Sequence, residues 1–420
     1  MSLENAGEAT PLAPSPLRVP EFRNMLAISF VVALGFGLVI PVLPNFALEL
    51  GASVAAVGLT QALFGVTRFG FGVVGGVVVD RFGERACTMA GLLIVAGSSY
   101  MVGFAQSFGQ LVIARGLGGA GSALFIAGLM NRVLRIIEPA AMGRATGIFR
   151  SSFLVGIAAG PGLGGVLAEA FGDRSVFHVY ATGLLLATVI AFVVMAKAAR
   201  EAAATKKSPL EALRAARPLF SDVRYRVALL ATFVTWWTLS GPAQTVASIY
   251  GKRVLGFSKQ TVGIGITLLA IGEILALLVA GRAADRYGRR TVLVPALGIA
   301  AVSTFALGQV QPAPWTFFVV IMILGAAISA AGAASGGLLA DAIPRGGSGA
   351  AVGVNQMAGD AGFVLSQVIV AAVAGWTSFS TAYAIAAIPA GIVFFSALRL
   401  PRQTTPTRDE SPAEPHEPVG

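Results

Sequence analysis

Five ionisable side chains stand inside stretches that are otherwise apolar: Arg68, Arg115, Arg150, Glu273 and Asp360. A carboxylate withdrawn from water holds its proton more tightly, and a guanidinium nearby loosens it again. Glu273 or Asp360, opposed by an arginine whose distance can change, could therefore bind and release a proton. Arginine stays charged and supplies the fixed countercharge. A charge in hydrocarbon costs about 2.5–3.5 kcal/mol on insertion scales, so each group is expected to face a cavity and to have a partner. Arg68 lies 12 residues before Asp80, and Glu273 lies 12 before Asp285. At about 1.5 Å per helical residue, both sit roughly 18 Å from the same landmark. Asp360, eleven residues into its own apolar run, reaches a similar depth. Opposite charges thus take equivalent places in two parts of the chain.

The elements that must position these groups are long apolar runs. The chain has 420 residues, 55% hydrophobic and 12% charged, with mean hydropathy +0.78. A soluble domain carries about 25% charged residues. Twelve runs reach the roughly 20 residues that cross a bilayer as a helix. Lipid satisfies no backbone polar group, so they must be helical. The expected fold is an all-α polytopic membrane protein of twelve transmembrane helices. The first run is too long for a cleaved signal, whose apolar core is about 7–15 residues. Of the 30 Lys and Arg, 23 fall in segments on one side of the membrane, four on the other and three within spans. By the positive-inside tendency both termini are cytoplasmic. That bias accounts for the net charge of +10 without any nucleic acid. Cys87 is the only cysteine, which excludes an intrachain disulfide, and His178 and His416 are the only histidines. Neither histidine lies deep in a span, which argues against a histidine-based metal site or a Ser-His pair.

The runs divide six and six. Residues 1–20 and 401–420, rich in Pro, Glu, Ser and Thr, are expected to be disordered cytoplasmic tails. Two bundles, 21–198 and 227–400, flank a charged linker, 199–226. In the linker, Ser208, Pro209 and Glu211 have the pattern of a helix start. Leu210 and Leu213 with Arg214 and Arg217 suit either an amphipathic surface helix or a solvated connection. The two bundles are copies. GVVVDRFGER at 76–85 returns as GRAADRYGRR at 281–290, so that Gly76, Asp80, Arg81, Gly83 and Arg85 become Gly281, Asp285, Arg286, Gly288 and Arg290. LGASVAAVG at 50–58 returns as LGFSKQTVG at 255–263, also 205 positions later. Parallel repeats of this kind place a substrate between the halves near the midplane.

The doubled charged hairpin, each copy between the second and third spans of a six-span half, resembles the signature of the major facilitator superfamily. The resemblance covers nearly all of 21–400 in layout and implies two pseudo-symmetric six-helix bundles. It implies that Gly76 and Gly281 allow close helix packing, and that Asp80 and Asp285 close an inner gate, with Arg85 and Arg290 as partners. Glu84 stands where a second basic residue is usual, and Arg289 fills that place in the second copy. The other reading makes the hairpin a topological anchor. GIAAGPGLGG at 156–165 resembles the antiporter motif of drug:proton exporters. Its Gly156, Gly160 and Gly164 form one bare stripe, Pro161 bends the helix, and Gly165 follows. In the second half Ser366-Gln367 replaces the Gly-Pro. ARGLGGAGSALF at 114–125 is similar to the fourth-span motif, which places Arg115 near the proton and substrate path. The first span is also similar to that of the exporters, yet it carries no acid between Arg23 and Glu49.

In that fold the second span packs on the eleventh and the fifth on the eighth. The resemblance therefore implies pairs Arg68–Asp360 and Arg150–Glu273, with Arg115 left over, either coupling protons or serving as static struts. Trp236, Trp237, Gln244, Asn355 and Gln356 are candidates for the substrate cavity. The expected activity is proton-coupled efflux of small amphipathic compounds by alternating access. The alternative is transport of one defined, anionic metabolite. The proton gradient would be the energy source, with no cofactor and no metal. No G-x-x-x-x-G-K-[ST] loop occurs, and the spans lack a catalytic set. Partners are expected to be the lipid bilayer and a small-molecule substrate, the chain being a monomer in a bacterial plasma membrane.

Overall fold

Serine starts the second span of each half. Ser53 accepts from the Ala56 amide and Ser258 from the Thr261 amide, satisfying a donor that the helix cannot satisfy itself. The helices so capped are α3 (Val54–Phe82) and α10 (Lys259–Tyr287). Both end at a glycine with positive φ, Gly83 at 86° and Gly288 at 92°, a conformation that side chains with a Cβ rarely adopt. The next helices, α4 (Glu84–Phe104) and α11 (Arg289–Leu307), begin directly after the turn. The repeated hairpin is thus a repeated backbone shape.

The computed structural model describes residues 15–138, 141–195, 217–343 and 349–401, and within them every side chain apart from those at 73–77, 143, 150, 349 and 350. The first half comprises α1 (Pro20–Val39), α2 (Leu43–Glu49), α3, α4, α5 (Phe108–Ile136), α6 (Met142–Phe171) and α7 (Asp173–Val194). The second comprises α8 (Val223–Thr238), α9 (Ala247–Arg253), α10, α11, α12 (Pro314–Ala342), α13 (Gly349–Trp376) and α14 (Phe379–Ala397). No strand occurs among the described residues. Among the described residues, eleven helices are long and apolar enough to cross a bilayer. The remaining crossing, the seventh, consists of α8, a π-helical segment Leu239–Val246, and α9. The surface helix expected from Ser208 lies outside the described residues, as do 1–14 and 402–420 of the two tails. Within the expected N-terminal tail, Pro16–Arg18 instead forms a 3-10 turn and Pro20 already begins α1.

The first and seventh spans, equivalent in the repeat, are both interrupted. α1 gives way to α2 around Pro41, and Pro242 lies inside the π segment, where a proline removes a donor and crowds the preceding turn. Neighbouring α13 repairs the second break. Ser366 Oγ accepts from the Gly241 amide at 3.0 Å and donates to the Trp237 carbonyl at 2.5 Å. Gln367 accepts from Thr245 at 2.6 Å and donates to the Ser240 carbonyl at 3.4 Å. The residues that replace the Gly-Pro of the first half therefore staple the broken span. Ser366→Ala should leave two buried backbone groups short of a partner and cost about 1–3 kcal/mol, read as a fall in thermal stability. An unchanged melting temperature would dismiss the staple.

Candidate functional site

Two helix pairs form the seam between the halves, α3 with α13 and α6 with α10. Glycines on one face of α3 show how the seam opens along its length. Gly58, Gly65 and Gly72 are seven residues apart and share a face. A Cβ on Gly58 would lie 2.0 Å from the Gln367 carbonyl oxygen, and one on Gly65 would lie 3.0 Å from Val364. One on Gly72 would meet nothing within 4 Å. The second pair behaves alike. A Cβ on Gly165 would come 2.6 Å from the Lys259 carbonyl oxygen, whereas Gly147, five turns earlier on the same face, has open space. The halves therefore touch at the end away from the charged hairpins and separate toward the hairpins. At the touching end Asn45 Nδ2 donates across the seam to the Ser248 carbonyl at 3.1 Å. The described ion pairs at the hairpin end each lie within one half: Arg132 with Glu21 and Glu84, Arg135 with Glu84, Arg224 with Asp222, and Arg289 with Asp285 and Asp341.

Midway along the seam Arg68 Nη2 lies 3.8 Å from Asp360 Oδ1, the pairing implied by the resemblance. Gln356 Nε2 donates to the same carboxylate oxygen at 3.3 Å. Arg68 is 40% exposed and makes one long contact. Arg132 instead grips Glu21 through two contacts of 2.8 and 2.9 Å. The second geometry is that of a strut, and the first can be broken at little cost. Glu273 has no ion pair or hydrogen bond among the described residues. The Arg150 side chain is outside them, so the Arg150–Glu273 pair is not placed.

Arg115 is 6% exposed and has no carboxylate partner among the described residues. Its Nη2 donates to Gln61 Oε1 at 2.6 Å, its guanidinium covers the Phe64 ring at 4.4 Å, and its Nε has no acceptor among the described residues. Gln61 and Phe64 escaped the sequence reading, although both lie within seven residues of Arg68 on the same helix. Of the cavity candidates, Gln356 sits in the Arg68–Asp360 group. Trp236 stands half-buried beside Gly359, with its ring 6.5 Å from Phe363. Asn355 Oδ1 is buried without a donor among the described residues, and Gln244 is half-buried. Trp237 corrects the expectation. It is 5% exposed and donates to the Ala386 carbonyl at 3.0 Å, so it packs inside the second half.

The hairpins require corrections too. Arg85 does not pair with Asp80; it donates to the Phe192 carbonyl and covers the Phe192 ring at 4.6 Å. Asp80 is exposed and carries no ion pair among the described residues. In the second copy Asp285 pairs with Arg289, one turn away, and not with Arg290. Gly281 meets nothing within 4 Å of where a Cβ would stand, so it makes no close packing, and Arg286 lies against its neighbour Tyr287. For the charged groups the physical reason is a competing partner within the same half, the Phe192 carbonyl and ring for Arg85 and Arg289 for Asp285, while the separation of the halves at this end leaves Gly281 facing open space. Glu84 explains its own departure from the motif, because Arg132 and Arg135 of α5 both bind it.

The Gly-Pro motif of α6 has two faces. A Cβ on Gly156, Gly160 or Gly164 would stand 2.8, 2.5 or 2.2 Å from α1 atoms, so the stripe seats a helix of its own half. The other face meets α10. The Gly162 amide donates to Thr267 Oγ1 at 2.9 Å, and a Cβ on Gly263 would lie 2.4 Å from the Pro161 carbonyl oxygen. Pro161 cannot donate, and its carbonyl becomes the surface on which the opposite half rests.

The family model described as Major Facilitator Superfamily matches residues 25–258 and 243–419. The chain is similar to Multidrug resistance protein 1 of Bacillus subtilis (strain 168), 28% identical over 57% of this chain and 60% of that protein. It is also similar to Quinolone resistance protein NorA of Staphylococcus aureus, 25% identical over the same shares. The matched region thus spans about three fifths of these curated relatives. Among solved structures, the nucleoside transporter NupG superposes with TM-score 0.73, 14% identity, over 90% of this chain and 98% of the other. A bacterial homolog of the human lysosomal transporter Spinster, inward-facing and unoccupied, superposes with TM-score 0.71 and 17% identity, over 92% and 98%. At these identities the structures speak for the fold alone.

Proposed function

Because the chain belongs to the major facilitator superfamily and is a multi-pass membrane transporter, we propose that it exports small amphipathic compounds in exchange for protons. The observation that carries this reading is the loosely held Arg68–Asp360 pair midway along a seam that is closed at one end and open at the other. Rocking of the halves would change the distance between carboxylate and guanidinium, and with it the hold on a proton. Glu273, at the equivalent depth in the second half, is the other acid available. The names of the relatives from Bacillus and Staphylococcus support a drug-like substrate. With the hairpin end cytoplasmic, as the Lys and Arg distribution favours, the described state opens inward. The setting is then a bacterial plasma membrane, the chain working as a monomer on the proton gradient alone. Asp80 and Asp285 would close the cytoplasmic end in the opposite state, which is why they stand unengaged across the seam here.

A second reading, transport of one defined anionic metabolite, draws on Arg115. Its buried guanidinium with a spare Nε suits a carboxylate or phosphate of a substrate. Accumulation of a panel of cationic, neutral and anionic compounds, measured in cells with and without the protein, separates the two. Lower accumulation of several unrelated amphipathic cations is expected. A change confined to a single anion would favour the second reading, and no change for any compound would remove the efflux reading.

A further inference from the structure

Helix α10 begins with a lysine in the wrong place. The first turn of a helix carries partial positive charge, and an acid there is stabilising while a base is not. Lys259 occupies the first position of α10, with no acid in that turn. The missing negative charge comes from the other half of the protein. Glu169, near the end of α6, accepts from the Lys259 backbone amide at 2.9 Å. Asp173, at the start of α7, accepts from Lys259 Nζ at 2.5 Å, and Glu49, at the end of α2, stands 3.9 Å from the same ammonium. Glu49 is also 3.2 Å from Lys252 of α9. The first half thus contributes three carboxylates and the second contributes two ammonium groups and a helix start. All of them meet at the end of the seam that is closed.

We infer that Lys259, capped in trans by Glu169, Asp173 and Glu49, is the latch that holds the far end of the seam shut and so sets the resting state of the transporter. The exposed part of the cluster contributes little, since a solvated ion pair is worth about 0–1 kcal/mol. The decisive contact is Asp173–Lys259. Asp173 is 5% exposed and, among the described residues, its second carboxylate oxygen has no donor and Lys259 is its only charged neighbour within 4 Å, so parting the halves would remove that neighbour unless water enters at once. Separation also frees the α10 amide that Glu169 binds. Only one of the two repeats carries this device, because the position equivalent to Lys259 in the first half is Val54. Lys259 is a positioning residue, acting through the equilibrium between two arrangements of the halves and not through contact with a substrate.

The inference rests on the alternating-access reading, and the test separates the two. Spin labels at Ala52→Cys and Val254→Cys report the far end, and labels at Phe82→Cys and Tyr287→Cys report the hairpin end, both in a Cys87→Ser background in lipid nanodiscs. Lys259→Gln is expected to add a longer far-end distance and a shorter hairpin-end distance, raising that population about tenfold or more. Lys259→Arg should keep most of the original distribution. Glu49→Gln, at an exposed site that folding tolerates, should shift it in the same direction by a smaller factor. A far-end distribution unchanged in both Lys259→Gln and Glu49→Gln overturns the latch. If Lys259→Gln fails to fold, Asp173→Asn, which removes the charge from the decisive contact at nearly the same size, decides in its place. If the hairpin-end distance responds to neither variant, nor to added tetraphenylphosphonium, an amphipathic cation, the two-state reading itself fails.

Discussion

Replacing Glu273 by Gln and Asp360 by Asn together should abolish uphill transport driven by a pH gradient in proteoliposomes, while downhill movement of substrate survives. Both side chains keep their size and lose the capacity to exchange a proton. They are the acids deep in the spans, and the first span offers no substitute between Arg23 and Glu49. The single variants should differ. Asp360 shares its site with Arg68 and Gln356, so Asp360→Asn leaves Arg68 without a charged partner there and should also weaken substrate binding. Glu273 has no described partner, so Glu273→Gln should spare binding and affect coupling. A double variant that still concentrates substrate against its gradient would assign these groups to structure alone. Flux of substrate with and without an imposed pH gradient is the measurement.

Gly58→Val should trap the protein open at the far end. A Cβ at that position lies 2.0 Å from a backbone carbonyl oxygen of α13, which cannot rotate away, so the two helices must move apart. Overpacking of this kind costs about 1–3 kcal/mol. Laid on a two-state equilibrium, that is roughly 5- to 150-fold toward the state in which α3 and α13 separate at that end. Gly72→Val, on the same face, meets nothing in the described state and should burden only the opposite one, in which the hairpin end closes. Gly164→Ala provides the contrast. Its conflict is with the Leu38 carbonyl oxygen inside the first half, so it should lower thermal stability without favouring either state. The Ala52–Val254 label distance together with melting temperature distinguishes all three. Equal distance distributions in Gly58→Val and Gly72→Val would contradict the graded seam.

How far the sequence discloses this depends on whether information is local or shared across the seam. The spans, the duplication and the hairpin turn are local. Gly83 and Gly288 take positive φ, and Ser53 and Ser258 cap, because of their own backbone surroundings. The Arg68–Asp360 pair was reachable through the family resemblance, which supplies the packing of the second span on the eleventh. What stayed hidden is set by the state of the molecule or by distant partners. Asp80 and Arg85 do not pair because the Phe192 carbonyl, 107 residues away, takes the guanidinium, and Gly281 faces open space because the halves are apart at its end, a state that no periodicity encodes. Trp237 turns into its own bundle because Ala386, 149 residues away, offers a carbonyl. Lys259 reads as an ordinary loop-end lysine until Glu49, Glu169 and Asp173 are brought beside it. A base at the first position of a helix, with no acid in that turn, was the one signal available.

Proton movement coupled to substrate movement is the core of the account. Purified protein reconstituted into liposomes, with a pH-sensitive dye in the lumen and no imposed gradient, tests it directly. A transported compound added to the outside should move inward and drive protons outward, raising luminal pH, and the Glu273→Gln, Asp360→Asn double variant should show substrate entry without that rise. Substrate entry with luminal pH unchanged in the unmodified protein would contradict proton exchange.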